Sequence, residues 1–331
     1  RELLTGASSC AEIWNILFGR VNPNGYSAGQ KIAVKVNLNN SWDCEGHEPR
    51  LNALPQPVLA LIKGMVAAGV QASDIIVYDS IRHPSIYLRQ PIWAVYQDVK
   101  FLGLVPGEDP CPGVMPASYG AHPSLTVGFD DTHGYITDRQ LVDVLYDATY
   151  VINVPIIKAH SGQDNNPVTL SFKNHFGSLN TIGGGGGGDD LHNYIYNSSS
   201  LYENTYSPLV DIWRNPNIRD KTILILGDGL YGGSGWGSDP IRSWSIFGGE
   251  ACNSLFFGVD PVATDCVMAD LIVAEGMVTR AHTYDYLFCA EEAGLGRCEG
   301  TRDDPGGDPL HVPYGSGSEK IEYVREDQES A

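Results

Sequence analysis

The sequence predicts an α/β fold with a mostly parallel central sheet flanked by helices. Three features carry that prediction. Several runs are β-branched and almost continuously apolar, as strands covered on both faces are. An amphipathic segment joins the first two of them. A capped helix follows the last.

The run KIAVKVNL (31–38) reads as a buried strand bounded by polar turns. In PVLALIKGMVAAGV, helical spacing puts Val58, Leu61, Ile62, Met65 and Val66 on one face, and Gly69 sits where a left-handed residue ends a helix. DIIVYDS (74–80) is the next strand, and a helical crossover between two strands implies parallel pairing. ATYVINVPIIKAH (148–160), KTILILGDG (221–229) and NSLFFGVD (253–260) supply further strands. The last runs into DPVATDCVMADLIVAEG, where Asp260 suits an N-cap and Pro261 the first helical position. Val262, Cys266, Ala269 and Val273 then form its apolar stripe.

Elsewhere the pattern is irregular. The Pro-, Gly- and Cys-rich stretch 103–135 reads as an insertion with short strands, and 181–220 and 229–252 read as long loops. Beyond residue 300 the chain is polar apart from KIEYV (320–324), a candidate edge strand. The organisation expected is one domain over 1–300, with its core in 30–275, and a polar extension over 301–331.

A net charge of −19 argues against nucleic acid or an anionic membrane surface as partner, since both need a basic face. No 18-residue apolar run suggests a membrane span. Residue 1 is Arg rather than Met, which reads as a processed or trimmed form. Seven cysteines occur without a CxxC, which disfavours zinc ribbons and leads us to expect no iron–sulfur cluster. Cys289 and Cys298 bracket AEEAGLGR and are the candidate pair for a short disulfide loop; the odd total leaves at least one thiol unpaired within the chain. Asn39 and Asn197 head two glycosylation sequons. With few lysines and much Tyr, Gly and Asn, these features point to an extracytoplasmic or secreted protein.

Polar groups concentrate at predicted strand ends. Alternation pairs Lys35 with Asn37 on one face and Lys158 with His160 on another. Asp228 and Asp260 mark two further carboxyl ends, the edge at which open α/β sheets bind ligands. The competing interpretation is that these residues mark strands running out into solvent. Economy favours a site: three of only eight lysines, Lys35, Lys158 and Lys173, fall in otherwise apolar segments. NPVTLSFKNHFG predicts a short helix with Thr169, Phe172, Lys173 and Phe176 on one side, though strand alternation fits almost as well. Lys173 there is an anion anchor or a base, or else a lysine lying over Phe rings.

Six glycines (183–188) follow, matching a dinucleotide fingerprint only trivially, because no strand precedes them and no GxxxxGK[ST] occurs. They read as a surface loop, or as a hinge delivering Asp189, Asp190 and His192 to the Lys/His cluster. DGLYGGSGWGSDP (228–240), directly after a strand, is the better candidate for close backbone approach to a ligand. A divalent metal is compatible with His160, His175, His192, Asp228, Asp260 and Asp265, or with the acidic RDDPGGD (302–308), but no diagnostic spacing is present. There is no GxSxG elbow.

VKVNL, VINVPIIKAH, TLSFKNHFGSL, His192, ILGDGLYGGSGWGSDP and DPVATD occur in an order that resembles the domain of unknown function 362 family, over residues 30 to 275. The resemblance implies an α/β domain, found largely in prokaryotes and often exported, with no settled activity. Some relatives carry ferredoxin-like cysteine motifs, which this chain lacks. The shared polar positions it implies are Lys35, Asn37, Lys158, His160, Lys173, Asn174, His192, Asp228, Asp260 and Asp265.

Two functions compete. In one, a cleft at the strand ends binds or acts on a small anionic ligand, with Lys35, Lys158 and Lys173 holding the anion. His160 or His192 then serves as acid/base, oriented by Asp228 or Asp265, while Asn37, Asn174 and Asp260 line the site. Whether the protein is an enzyme stays open. In the other, the chain is a self-assembling extracellular subunit, a homo-oligomer or filament, as its acidic, Gly/Tyr/Asn-rich composition suggests.

Overall fold

The computed structural model describes residues 6–46, 51–105, 107–120, 122–160, 165–181, 190–196, 201–235, 241–300, 302, 314 and 321–326. The first half runs α1 (Cys10–Gly19), β1 (Lys31–Val36), α2 (Pro55–Ala67), β2 (Ile75–Tyr78), α3 (Ile86–Trp93), β3 (Lys100–Leu102) and β4 (Val114–Met115). A two-stranded ribbon of β5 (Thr126–Val127) and β6 (Arg139–Gln140) precedes α4 (Val144–Asp147), β7 (Ala148–Val154), β8 (Ile156–Ala159) and β9 (Val168–Thr169). The second half holds α5 (Ser171–Asn174), α6 (Asp190–Tyr196), α7 (Pro208–Arg214), α8 (Pro216–Arg219), β10 (Thr222–Gly233), β11 (Ser254–Gly258), α9 (Pro261–Ala274) and α10 (Asp285–Glu292).

Strands β4, β3, β2, β1, β7 and β10 pair in that order, all parallel. The chain β7–Pro155–β8 runs as one interrupted strand along β10. Ile225 pairs with Asn153 on one edge and Gly258 on the other, and Asp228 pairs with Ile156 and Leu255. Strand β11 therefore closes the far edge, antiparallel. Strand β9 pairs antiparallel with β8 through Lys158–Thr169, on the edge that β1 occupies further back.

Helices cover both faces, as a sheet of buried parallel strands requires. One core joins α1, α2 and α3 to the sheet through Ile32, Val34, Val36, Val58, Ile62, Met65, Ile152 and Val154. The expected face of α2 is the buried one, except that Val66 is only partly buried, and Gly69 has φ +98°. The other core joins α4, α5, α6, α7, α9 and α10 through Ala33, Val151, Ile157, Phe172, Trp213, Met268 and Leu287. Asp260 caps α9, its side chain accepting from Ala263 N at 2.9 Å.

Four expectations change. The stretch 181–220 is not simply a loop: it holds α6, α7 and α8. Its helical run PLVDIWR is short and opens with Pro208 after Ser207, so tertiary burial of Leu209, Ile212 and Trp213, rather than length, stabilises it. Residues 321–326 form no strand; Ile321 instead packs in the second core, and the Tyr314 hydroxyl donates to Asp270 there. Residues 229–252 begin as strand, since β10 continues to Gly233. Finally, the disulfide is not Cys289–Cys298, whose thiols are both free, but Cys44–Cys111, which ties the segment after β1 to the one before β4. Proximity in sequence did not fix direction: Cys289 Sγ points to Asn204 O (3.6 Å), and Cys298 Sγ points to Cys266 Sγ (3.7 Å).

Candidate functional site

The signature segment SFKN is α5, and its first turn is held from another helix. The Asp265 carboxylate, fully buried on α9, accepts from Ser171 N (2.8 Å), Phe172 N (3.1 Å) and the Tyr286 hydroxyl (3.1 Å). Those backbone donors have no partner within a helix so short, and a carboxylate supplies it. Burial pushes the Asp265 carboxyl up to about 6, against the pull of those donors.

From α5 the network crosses to the sheet. Asn174 Nδ2 donates to Asn153 Oδ1 (2.6 Å), and Asn174 Oδ1 accepts from Lys35 Nζ (3.1 Å). Lys35 Nζ also donates to Val36 O (2.6 Å) and to Asp79 Oδ2 (3.2 Å). Asp79 in turn accepts from Leu38 N and Ile81 N, and Asn153 Nδ2 donates to Ser171 O. Lys35, Asn153 and Tyr78 are cross-strand neighbours by register, so one row of the sheet presents them together. Lys35 is fully buried; desolvation lowers its pKa, and the Asp79 carboxylate opposes that.

The glycine of the signature now has a cause. A Cβ on Gly177 would lie 2.7–2.8 Å from both Asp79 carboxylate oxygens and from Lys35 Nζ, so only glycine lets the chain lie over this ion pair. His175 is buried beside it, bonded through Nδ1 to Ser178 Oγ (3.0 Å), and burial drives its pKa well below the ordinary value, with Lys35 adding to the effect.

Strand alternation separates the remaining residues. Ile157 and Ala159 belong to the second core, so Ile156 and Lys158 point the other way. Asp228, two residues beyond Leu226 of the first core, shares that side. There Leu51, Asn52, Leu54, Ile156, Asp228, Tyr231 and Ile241 line a small recess that opens to solvent. Burial pushes the Asp228 carboxyl up to about 6, although Leu230 N and Leu54 N donate to it. Lys158 is buried, its Nζ 3.5 Å from Thr169 Oγ1, and His160 follows it, its backbone N–H bonded to Pro167 O.

Lys173 and His192 meet at a different point, both against Phe176: Lys173 Nζ is 5.8 Å from the ring centroid, and the His192 ring stands edge-on at 5.1 Å. Asp190 turns elsewhere, pairing with Arg139 and accepting from Thr137 N (2.7 Å). The glycine run, Asp189, Asn197 and most of RDDPGGD lie outside the described residues. Asn37 closes a local turn, accepting from Asn39 N (3.0 Å), and Asn39 is half-buried. Asp260 accepts from Ala263 N and Arg297 N and so holds backbone.

Sequence reasoning missed Asp79, Asn153 and Tyr286. Asp79 carried the same signal as Lys35, a charge at a strand's carboxyl end, and Asn153 the rarer one of an amide inside an apolar strand. No three of His160, His175, His192, Asp228, Asp260 and Asp265 converge as metal ligands among the described residues. Cys44, His83 and Cys111 do bring ligand atoms within 4.8 Å, but their sulfurs are joined to each other.

The fold and site thus define an α/β protein with a largely parallel sheet, an internal Lys–Asp–Asn brace and a mostly apolar recess holding Asp228 at the strand carboxyl ends. The family model described as Domain of unknown function (DUF362) matches residues 32–270, and the chain belongs to that family. Neither a curated protein nor a solved structure matches it.

Proposed function

We propose that the chain binds or acts on a small anionic molecule at the carboxyl ends of β8 and β10, on the side that Asp228 and Lys158 share. The observation that carries this reading is the recess itself. Asp228 stands in its wall with a pKa of about 6, while Lys158 lies two residues along from the wall residue Ile156, on the same strand face. A carboxyl that gains and loses a proton near neutrality is suited to acid/base work, and a buried ammonium behind the wall favours negative charge in front of it. Lys35, Asn174 and Asp265 brace the sheet and α5 and need not touch ligand. The Cys44–Cys111 bridge supports an oxidising, extracytoplasmic setting.

Calorimetric titration with inorganic phosphate and with citrate tests the reading. Binding that weakens at least about tenfold in Lys158→Met is expected. Absence of heat with both probes at millimolar concentration overturns it.

The second reading, a self-assembling subunit, draws on β11. This strand closes one edge of the sheet, and its outward residues Leu255 and Phe257 are 41 % and 51 % exposed. An apolar, unpaired edge favours strand addition by a second copy. Sedimentation decides it: a strictly monomeric particle rules it out.

A further inference from the structure

We propose that Cys266 and Cys298 are a site of oxidative modification, closing a second disulfide that fastens the loop after α10 onto α9. In the structure their sulfurs are 3.7 Å apart and unbonded, and both residues are fully buried. A bond requires the sulfurs to approach by about 1.7 Å, to the 2.05 Å of a disulfide.

The backbones on either side are already held in place, and by one carboxylate. Asp260 caps the helix that carries Cys266, through Ala263 N, and also accepts from Arg297 N at 3.0 Å, one residue before Cys298. Glu291 Oε1 accepts from Cys298 N itself at 3.1 Å. The loop comes this close because Gly296 has no side chain: a Cβ there would lie 2.0 Å from Asp260 Oδ1. Gly294 and Gly300, both with positive φ, bound the same loop and let it turn back onto α9.

The other free thiols face elsewhere. Cys10 Sγ donates to Gly64 O, Cys252 is buried and bonded with Ser254, and Cys289 Sγ donates to Asn204 O and lies beside Arg302. Each thiol of the pair has the other as its nearest reactive partner. Their contact and their burial raise the Cys266 pKa, so exchange runs through brief opening of the loop rather than through the closed state.

The oxidant is a small-molecule disulfide. A Cys298 thiolate attacks one of its sulfurs and expels one thiolate; Cys266 then attacks the mixed disulfide at the Cys298 sulfur and expels the second. Two cysteine thiols and one disulfide become one protein disulfide and two small thiols, with the two thiol protons carried off by the leaving groups.

The consequence is a clip on each face of the sheet. Cys44–Cys111 secures the side of α2 and α3. Cys266–Cys298 would secure α9 and α10, beside Asp270 and the tyrosines Tyr284 and Tyr314 that bond it.

Peptide mapping tests this on the whole chain. Protein incubated with oxidised glutathione in dilute urea is alkylated after full denaturation, digested and analysed by mass spectrometry. Linked Cys266 and Cys298 peptides, with Cys10, Cys252 and Cys289 alkylated, are the expected result. Alkylation of both Cys266 and Cys298, in a sample whose Cys44–Cys111 peptides remain linked, overturns the proposal, as does a Cys289–Cys298 link. Asp260→Ala should slow linkage severalfold; an unchanged rate removes the positioning role given to that carboxylate.

Discussion

Lys35 and Asn174 stand 139 residues apart in the chain and share a buried hydrogen bond of 3.1 Å. One lies next to the last residue of β1, the other lies in the family signature, and between them they couple the Asp79 carboxylate to the Asn153 amide. Within the family signature Asn174 and Gly177 belong to this internal brace, while Lys173 lies apart from it against Phe176.

That brace should respond to mutation as a buried ion pair does. Asp79→Ala leaves the Lys35 charge buried without its counter-ion and is expected to cost about 3–5 kcal/mol in urea denaturation. The double variant Asp79→Leu/Lys35→Met removes both charges and should recover most of that loss. Equal destabilisation in the two proteins contradicts the pairing.

Gly177→Ala places a methyl group against Asp79 and Lys35 at 2.7–2.8 Å. The expected loss is about 1–3 kcal/mol, since neither partner has room to withdraw. Thermal unfolding reads this directly. Gly69→Ala, in open space but at φ +98°, separates the cost of crowding from that of backbone strain.

Acidification should stabilise the fold before it destabilises it. Asp265 and Asp228 titrate near 6 in the folded protein, above the 3.8 of the free side chain. A raised carboxyl pKa means that the fold prefers the protonated group. Its stabilising contribution is complete below about 4 and is lost as pH rises through 6. From pH 7 to pH 5 each group adds about 1 kcal/mol. Asp265→Asn should be less stable overall and show a shallower slope; an unaltered slope assigns the titration elsewhere.

Ligand affinity should carry the same signature at the recess. Ionised Asp228 repels an anion, so phosphate or citrate binding is expected to weaken as pH rises through 6. In Asp228→Asn that change should vanish while binding persists, as read by calorimetry across the range.

Cys44 and Cys111 close a loop across 67 positions, and chain-entropy arguments assign such a bridge about 4 kcal/mol. Cys111→Ser should lower the unfolding midpoint in urea accordingly. A reducing agent added to wild type should reproduce the shift, and no change with either treatment means the bridge is absent.

The sequence by itself determined the main strands β1, β2, β7, β8, β10 and β11, most of the α2 face, the cap at Asp260 and the family, because these rest on short-range patterns. Alternation, helical spacing and capping residues act over a few positions and survive without knowledge of the fold. Tertiary structure alone decided which polar residues meet. Lys35 and Lys158 looked equivalent at their strand ends, yet one faces Asn174 and the other the side of Asp228, because side chains along β1 and β8 alternate between two covered faces and the two lysines fall on opposite ones. Asp79 and Asn153 acquired meaning only when parallel pairing set them beside Lys35. The same reason separates Cys289 from Cys298: nine positions apart in the chain, they point into different contacts, and the partner of Cys298 lies 32 residues back on α9.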